Sequence, residues 1–191
     1  MSDFIVIGAG IIGMLSSYAL ACKVFSVRLI ESQRCGQEAS WAGGGIVSPL
    51  NPWNYPSSIT KLASLSQRSY PLLVEQLLDR TGIDSELYQT GMMTILPDDD
   101  DLSSRQIAEK ALAWANRYDI ELESVEPFFI DQCQPGLGLK PQQGLWMPQV
   151  CNVRNPRLLS ALKKAISQQP LISVHENTPV TELLFEQRKA Q

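Results

Sequence analysis

Phe4-Ile5-Val6-Ile7-Gly8-Ala9-Gly10-Ile11-Ile12-Gly13 joins four consecutive apolar residues directly to glycines spaced G-x-G-x-x-G. The apolar run suits a parallel strand buried on both faces. Each glycine has its own task. Gly8 permits a tight strand-to-helix turn, Gly10 lets the backbone approach a pyrophosphate, and Gly13 lets the helix pack closely on the sheet. The pattern predicts a helix from Ile11 to about Ala21. Its N-terminus presents unpaired N–H groups and the positive end of the macrodipole to an anion, so no lysine or arginine is required.

Outward from this stretch, Val27-Arg28-Leu29-Ile30 reads as a second strand ending at Glu31. Glu31 stands 18 residues beyond Gly13, near the separation of about 20 expected for a carboxylate that binds the adenosine ribose hydroxyls. A carboxylate there also repels the extra phosphate of NADP. The order strand, glycines, helix, strand, acid describes a dinucleotide-binding βαβ unit; the plainer reading is a glycine turn in an ordinary α/β domain. The unit does not choose between NAD and FAD, which present the same adenosine diphosphate.

Further along, Ala39-Ser40-Trp41-Ala42-Gly43-Gly44-Gly45-Ile46-Val47-Ser48-Pro49-Leu50 contains three consecutive glycines, which invite close backbone approach. A flat tricyclic ring against this loop is a reasonable ligand, with Ala39 and Ser40 near its pyrophosphate. A flexible surface loop is the alternative from composition alone.

Gly8 to Gly13, Glu31-Ser32 and Ala39 to Ile46 together resemble the FAD-dependent D-amino acid oxidase superfamily, and within it the glycine oxidases of thiamine biosynthesis. The resemblance implies that Ile11, Ile12, Glu31, Ser32, Ala39, Ser40, Gly44, Gly45 and Ile46 contact FAD. It also implies that Ile46 sits near the substrate and that the backbone of Val180 hydrogen-bonds adenine. By the same resemblance the chain corresponds to about the first half of a family member. The residues that hold the substrate carboxylate are then expected elsewhere, catalytic residues stay unassigned, and cofactor retention is expected to be weakened.

In the remainder, apolar residues at helical spacing from Pro56 to Arg80 predict a helical pair divided or kinked at Pro71. Leu87 to Leu96 reads as strand, with Gly91 as a bulge and Pro97 as its end. Asp98 to Asp101 reads as the acidic start of an exposed helix, Leu102 to Tyr118, in preference to a metal site. Prolines and glycines between Glu121 and Gln149 predict strands and turns rather than long helices. Asn155-Pro156 reads as an N-cap followed by proline at the first helical position, opening a helix to about Gln169. Leu171 to His175 is then a strand. The fold expected is α/β: a discontinuous Rossmann-like FAD-binding domain, residues 1–50 and 150–191, with an inserted α+β substrate domain, residues 51–149, containing an antiparallel sheet.

Bulk properties exclude several classes. With 16 Lys+Arg against 20 Asp+Glu in 191 residues, the chain has no broad basic surface for nucleic acid. No apolar stretch reaches the roughly 20 residues that cross a bilayer, and Met1-Ser2-Asp3 lacks a basic signal region, so a cytoplasmic location is expected. Four scattered cysteines and the single His175 offer no metal-ligand spacing. The expected partner is a small amino acid or amine, with a homo-oligomer left open.

The activity implied by the resemblance is oxidation of glycine or a small amine at its Cα–H to an imine, with hydrogen peroxide formed from oxygen. Alternatives are a D-amino acid or sarcosine-type oxidase or dehydrogenase, and a truncated FAD-binding chain without catalysis. A nicotinamide dehydrogenase is disfavoured by the Ala39 to Ile46 segment.

Overall fold

A computed structural model of the chain describes residues 2–96, 102–137, 143–186 and 189–190. Pro97, the acidic run Asp98 to Asp101, Gly138 and Pro141 lie outside the described residues.

In chain order the elements begin with β1 (Phe4–Ile7), α1 (Ile11–Cys22), β2 (Val27–Ile30), α2 (Ala39–Ala42), a 3-10 turn (Pro52–Asn54) and α3 (Ser57–Thr81). There follow β3 (Tyr88–Gln89), β4 (Met92–Ile95), α4 (Leu102–Tyr118), β5 (Glu123–Val125), α5 (Pro127–Cys133) and β6 (Gly144–Met147). The last are β7 (Cys151–Asn152), α6 (Asn155–Ser167), β8 (Ile172–His175), β9 (Phe185–Glu186) and β10 (Lys189–Ala190). Two compact units result, one of Met1–Gly45, Leu72–Glu86 and Arg154–Gln191, the other of Ile46–Pro71 and Leu87–Val153. Residues 72–86 therefore pack with the first unit rather than with the segment 51–149 in which the sequence reading puts them.

The first unit is built on a parallel sheet in the order β1-β2-β8, with Val6 opposite Leu29 and Leu29 opposite Val174. Helices α1 and α6 cover one face of it. Val27 and Leu29 point into that layer and are buried with Met14, Ala21, Leu158 and Leu162. Leu158 and Leu162 are fully buried on one stripe of α6, and truncating either to alanine is expected to cost about 2–5 kcal/mol. The predicted α1, β2 and β8 agree with these elements to within one residue.

Two expectations for helices need correction. α3 is one continuous helix with Pro71 inside it, not a helical pair. Proline removes a single i→i−4 bond, and packing holds both flanking stretches, since Thr60 and Leu77 are buried. The boundary between the two units falls directly after Pro71. In α6, Asn155 is not the cap: Arg154 occupies that position without a side-chain bond, and the Asn155 amide is used elsewhere.

The second unit contains an antiparallel sheet in the order β4-β6-β5 and a separate β3-β7 pair. Its core joins Trp53, Leu96, Trp114, Leu145, Met147 and Val150. Trp114 Nε1 donates to buried Thr60 Oγ1 at 3.2 Å, which satisfies the one polar atom of that ring. The strand predicted over Leu87 to Leu96 is interrupted rather than bulged. Gly91 has φ +71° and lies against the Trp146 ring, so β3 and β4 take different partners. Between Glu121 and Gln149 the strands are joined by a short helix, α5, whose first position is Pro127.

Candidate dinucleotide site

The carboxyl ends of β1 and β2 converge on the start of α1. Gly8 ends β1 with φ +93°, a conformation open to glycine, and its N–H donates to Ile30 O at 2.8 Å. The chain then enters α1 through Gly10 in extended conformation, and the first turn carries no acidic side chain. Gly13, one turn in, faces Gly8 so closely that a Cβ would run into the Gly8 carbonyl oxygen. That contact lets the helix start within reach of the strand end. The three glycines thus stand where the motif requires them.

Ser40, on α2, comes back over this helix start. Its Oγ accepts from the Ile11 N–H at 3.0 Å, and a Cβ on Gly10 would lie 3.1 Å from the same oxygen. The hydroxyl satisfies one of the unpaired amides at the helix start, and its own proton stays available to an anion. Ile12 is largely exposed beside it, at 79%.

Glu31 follows β2 and is buried. Its Oε2 accepts from Ala9 N–H at 2.6 Å, and its Oε1 accepts from Gln33 N–H at 3.0 Å and Ser32 Oγ at 2.9 Å. The Gln33 and Ala9 amides hold its pKa below the ordinary carboxylate value, so it is ionised at neutral pH. A carboxylate has about four lone-pair directions; three are engaged, which leaves Oε2 able to accept a ribose hydroxyl.

The segment after β8 is tied to the same end of the sheet. Thr178 N–H donates to Glu31 O and Asn177 N–H to Gln33 O, both at 2.8 Å. Val180 lies two residues beyond Thr178 and is 38% exposed.

The glycine-rich segment leaves α2 through Gly43, whose carbonyl accepts from Asn155 Nδ2 at 2.9 Å. Gly44 has open space where a Cβ would stand, and Gly45 takes φ +76°. Ile46 begins the second unit, bridged to Asn152. There Val47 N–H donates to Cys151 O at 2.9 Å and Val47 O accepts from Gln67 Nε2 at 2.9 Å.

Gly8, Gly10, Ile11, Ile12, Gly13, Glu31, Ser32, Ala39, Ser40, Gly44, Gly45 and the backbone leading to Val180 thus belong to the first unit, with the helix start and Glu31 in direct bonded contact through Ala9. Ile46 belongs to the second unit. The sequence reading missed Asn155 and Gln67 as supports of the glycine-rich segment, because an amide bonded to a distant carbonyl leaves no local pattern.

These residues suit the ADP half of FAD. The helix start is free of acidic groups, Gly10 gives the backbone a close approach, and Glu31 keeps an acceptor free.

Residues 3–191 match the model of the family described as FAD dependent oxidoreductase, DAO. The chain is 42% identical over 176 residues to the glycine oxidase of Pseudomonas aeruginosa, covering 92% of this chain and 46% of that protein. It is 41% identical over 177 residues to the glycine oxidase of Pseudomonas putida, covering 93% of this chain and 46% of that one. The crystal structure of glycine oxidase from Geobacillus kaustophilus superposes with a TM-score of 0.85 at 23% identity, covering 96% of this chain and 48% of that chain. The chain spans about half the length of the curated relatives it matches. On the family model and these identities, the chain belongs to the FAD dependent oxidoreductase family, DAO.

Proposed function

We propose that the chain supplies the FAD-binding part of an enzyme that oxidises glycine or a similarly small amino acid or amine, linked to thiazole formation in thiamine biosynthesis. The observation that carries the reading is the bonded constellation at the carboxyl end of β1: the Ile11 amide on Ser40 and the Ala9 amide on Glu31. In this reading the first turn of α1 and Ser40 hold the pyrophosphate, Glu31 holds the ribose, and the Val180 backbone meets adenine. Ala39, Gly44 and Gly45 lie along the flavin side, and Ile46 stands next to the substrate. The first unit, residues 72–86 included, then serves the nucleotide and the second unit the substrate. The names of the relatives, glycine oxidase and the bifunctional protein ThiO/ThiG of Synechocystis, support the choice of substrate and pathway.

Bound FAD supplies the electron acceptor for removal of a hydride from the substrate Cα. The protein's part is to align the substrate and exclude water, so an acid–base pair is not demanded of this chain. No described helix is long and apolar enough to cross a membrane, which is compatible with work in the cytoplasm.

The test is the visible spectrum of the FAD-loaded protein under anaerobic conditions. Bleaching by glycine, with slower or no bleaching by D-alanine and sarcosine, supports the reading. Faster bleaching by either competitor assigns a different small amine, and bound flavin that no amine bleaches means binding without catalysis.

A further inference from the structure

Two stretches of chain leave the parallel sheet of the first unit side by side, residues 31–36 after β2 and residues 176–180 after β8. In the cofactor reading the first brings Glu31 to the ribose and the second brings Val180 to adenine, so the separation of the two stretches sets the width of the adenosine position. Three connections fix that separation. Thr178 N–H donates to Glu31 O and Asn177 N–H to Gln33 O, both at 2.8 Å. These two are backbone bonds, made with Asn177 in the left-handed region at φ +52°, which asparagine enters more readily than most residues. The third is made by a side chain. Glu176 Oε1 accepts from the Cys35 N–H at 2.7 Å, across 141 residues of sequence, and the Cys35 thiol donates to the same carboxylate.

Packing does not stand in for this third connection. Gly36 is fixed by its N–H on Ala9 O at 2.9 Å and has no spare room toward Met14 and Leu159. One residue earlier that support ends. A cavity of about 190 Å³, walled by Met14, Leu29, Ile166 and Val174, opens beside Cys35, and Glu176 and Lys163 lie on its wall as well. Cys35 itself is buried, so without the carboxylate its N–H is left with little access to water, which is costly. The bond is short, as bonds to an ionised acceptor are, and the Cys35 amide and thiol hold the Glu176 pKa below the ordinary carboxylate value.

We propose that Glu176 is a positioning residue for the cofactor: by holding Cys35 it keeps the stretch that carries Glu31 at the separation from the Val180 segment that adenosine requires. It acts through Cys35 rather than by touching the ligand. The inference rests on the reading that this unit binds the ADP half of FAD, and it names the side chain that prepares the adenosine end. The start of α1 and Ser40, which hold the pyrophosphate in that reading, do not depend on it.

The experiment titrates ADP and, separately, inorganic pyrophosphate into the unsubstituted chain, Glu176→Ala and Glu176→Gln by calorimetry. Pyrophosphate asks only for the helix start and Ser40, whereas ADP asks also for the gap between the two stretches. The expected result is a loss of ADP affinity of about tenfold in Glu176→Ala, with pyrophosphate affinity unchanged. Glu176→Gln, whose amide oxygen accepts the same bond, should bring ADP affinity back to within about threefold of the unsubstituted chain. Equal ADP binding by Glu176→Ala and the unsubstituted chain would overturn the proposal and leave the cofactor reading standing. So would equal losses for ADP and pyrophosphate, which mark a general loosening of the unit, or a Glu176→Gln chain as weak as Glu176→Ala. An unsubstituted chain that binds no ADP would overturn the cofactor reading, and the proposal with it.

Discussion

The α-carbon of Gly13 faces the carbonyl oxygen of Gly8 with no room for a Cβ between them. This contact sets the start of α1 against the end of β1. Gly13→Ala gains about 0.8–1.0 kcal/mol of helix propensity but forces the backbone apart, a strain of about 1–3 kcal/mol. Because the obstacle is backbone rather than a flexible side chain, strain wins. Chemical denaturation should show a net loss of up to about 2 kcal/mol, together with weaker FAD binding.

Glu31 links stability to pH. Its acidity is strengthened in the folded chain by the Gln33 and Ala9 amides, so the sign is that of a depressed carboxylate. Its contribution is complete above the unfolded value near 4.5 and is lost as pH falls through the lower folded value. Glu31→Gln should therefore be less stable than the unsubstituted chain at neutral pH, with the gap narrowing steadily below about pH 4.5. Urea denaturation across that range checks it. An equal gap at every pH would show that shape, not charge, is what Glu31 contributes.

Asn155 and Gly43 form a coupled pair. Asn155 Nδ2 donates to Gly43 O, and a Cβ on Gly43 would stand 2.6 Å from the same nitrogen. Asn155→Ala is expected to cost about 1 kcal/mol through the lost bond, and Gly43→Ala about as much, because the flexible Asn155 side chain swings aside and gives up the same bond. The double variant should be more stable than the sum of the two predicts, because shortening Asn155 removes the obstacle. Strict additivity in a denaturation cycle would mean that the two residues do not meet.

The thiols should differ in reactivity. Burial, with Glu176 beside it, pushes the Cys35 thiol up to about 12, whereas Cys22 and Cys133 are exposed. Iodoacetamide at mildly alkaline pH should label Cys22 and Cys133 in the folded chain and reach Cys35 only after denaturation, because the thiolate is the nucleophile. Mass mapping of the labelled peptides reads the order directly.

The helix start and its acid are legible in the sequence because the constraints there are local. Gly8, Gly13 and Glu31 obey spacing rules set by one strand and one helix. The same holds for β2, α1 and β8, whose apolar patterns face a single layer. What the sequence conceals is decided by distant partners. Pro71 suggests a break, yet the helix runs on through it, with Thr60 buried before it and Leu77 after it. Asn155 resembles a cap, but its amide bonds Gly43, 112 residues away. Gly91 reads as a bulge until the Trp146 ring is seen against it, and Gln67 shows its hold on Val47 only in three dimensions.

The most direct test of the central claim, that the start of α1 with Ser40 and Glu31 binds the ADP half of FAD, is an equilibrium FAD titration of the unsubstituted chain beside Gly10→Val. The account predicts saturable binding and at least a tenfold loss in the variant, whose side chain enters the space shared by the Gly10 backbone and Ser40 Oγ. Equal affinity in the two chains, or no FAD binding by the unsubstituted one, would contradict it.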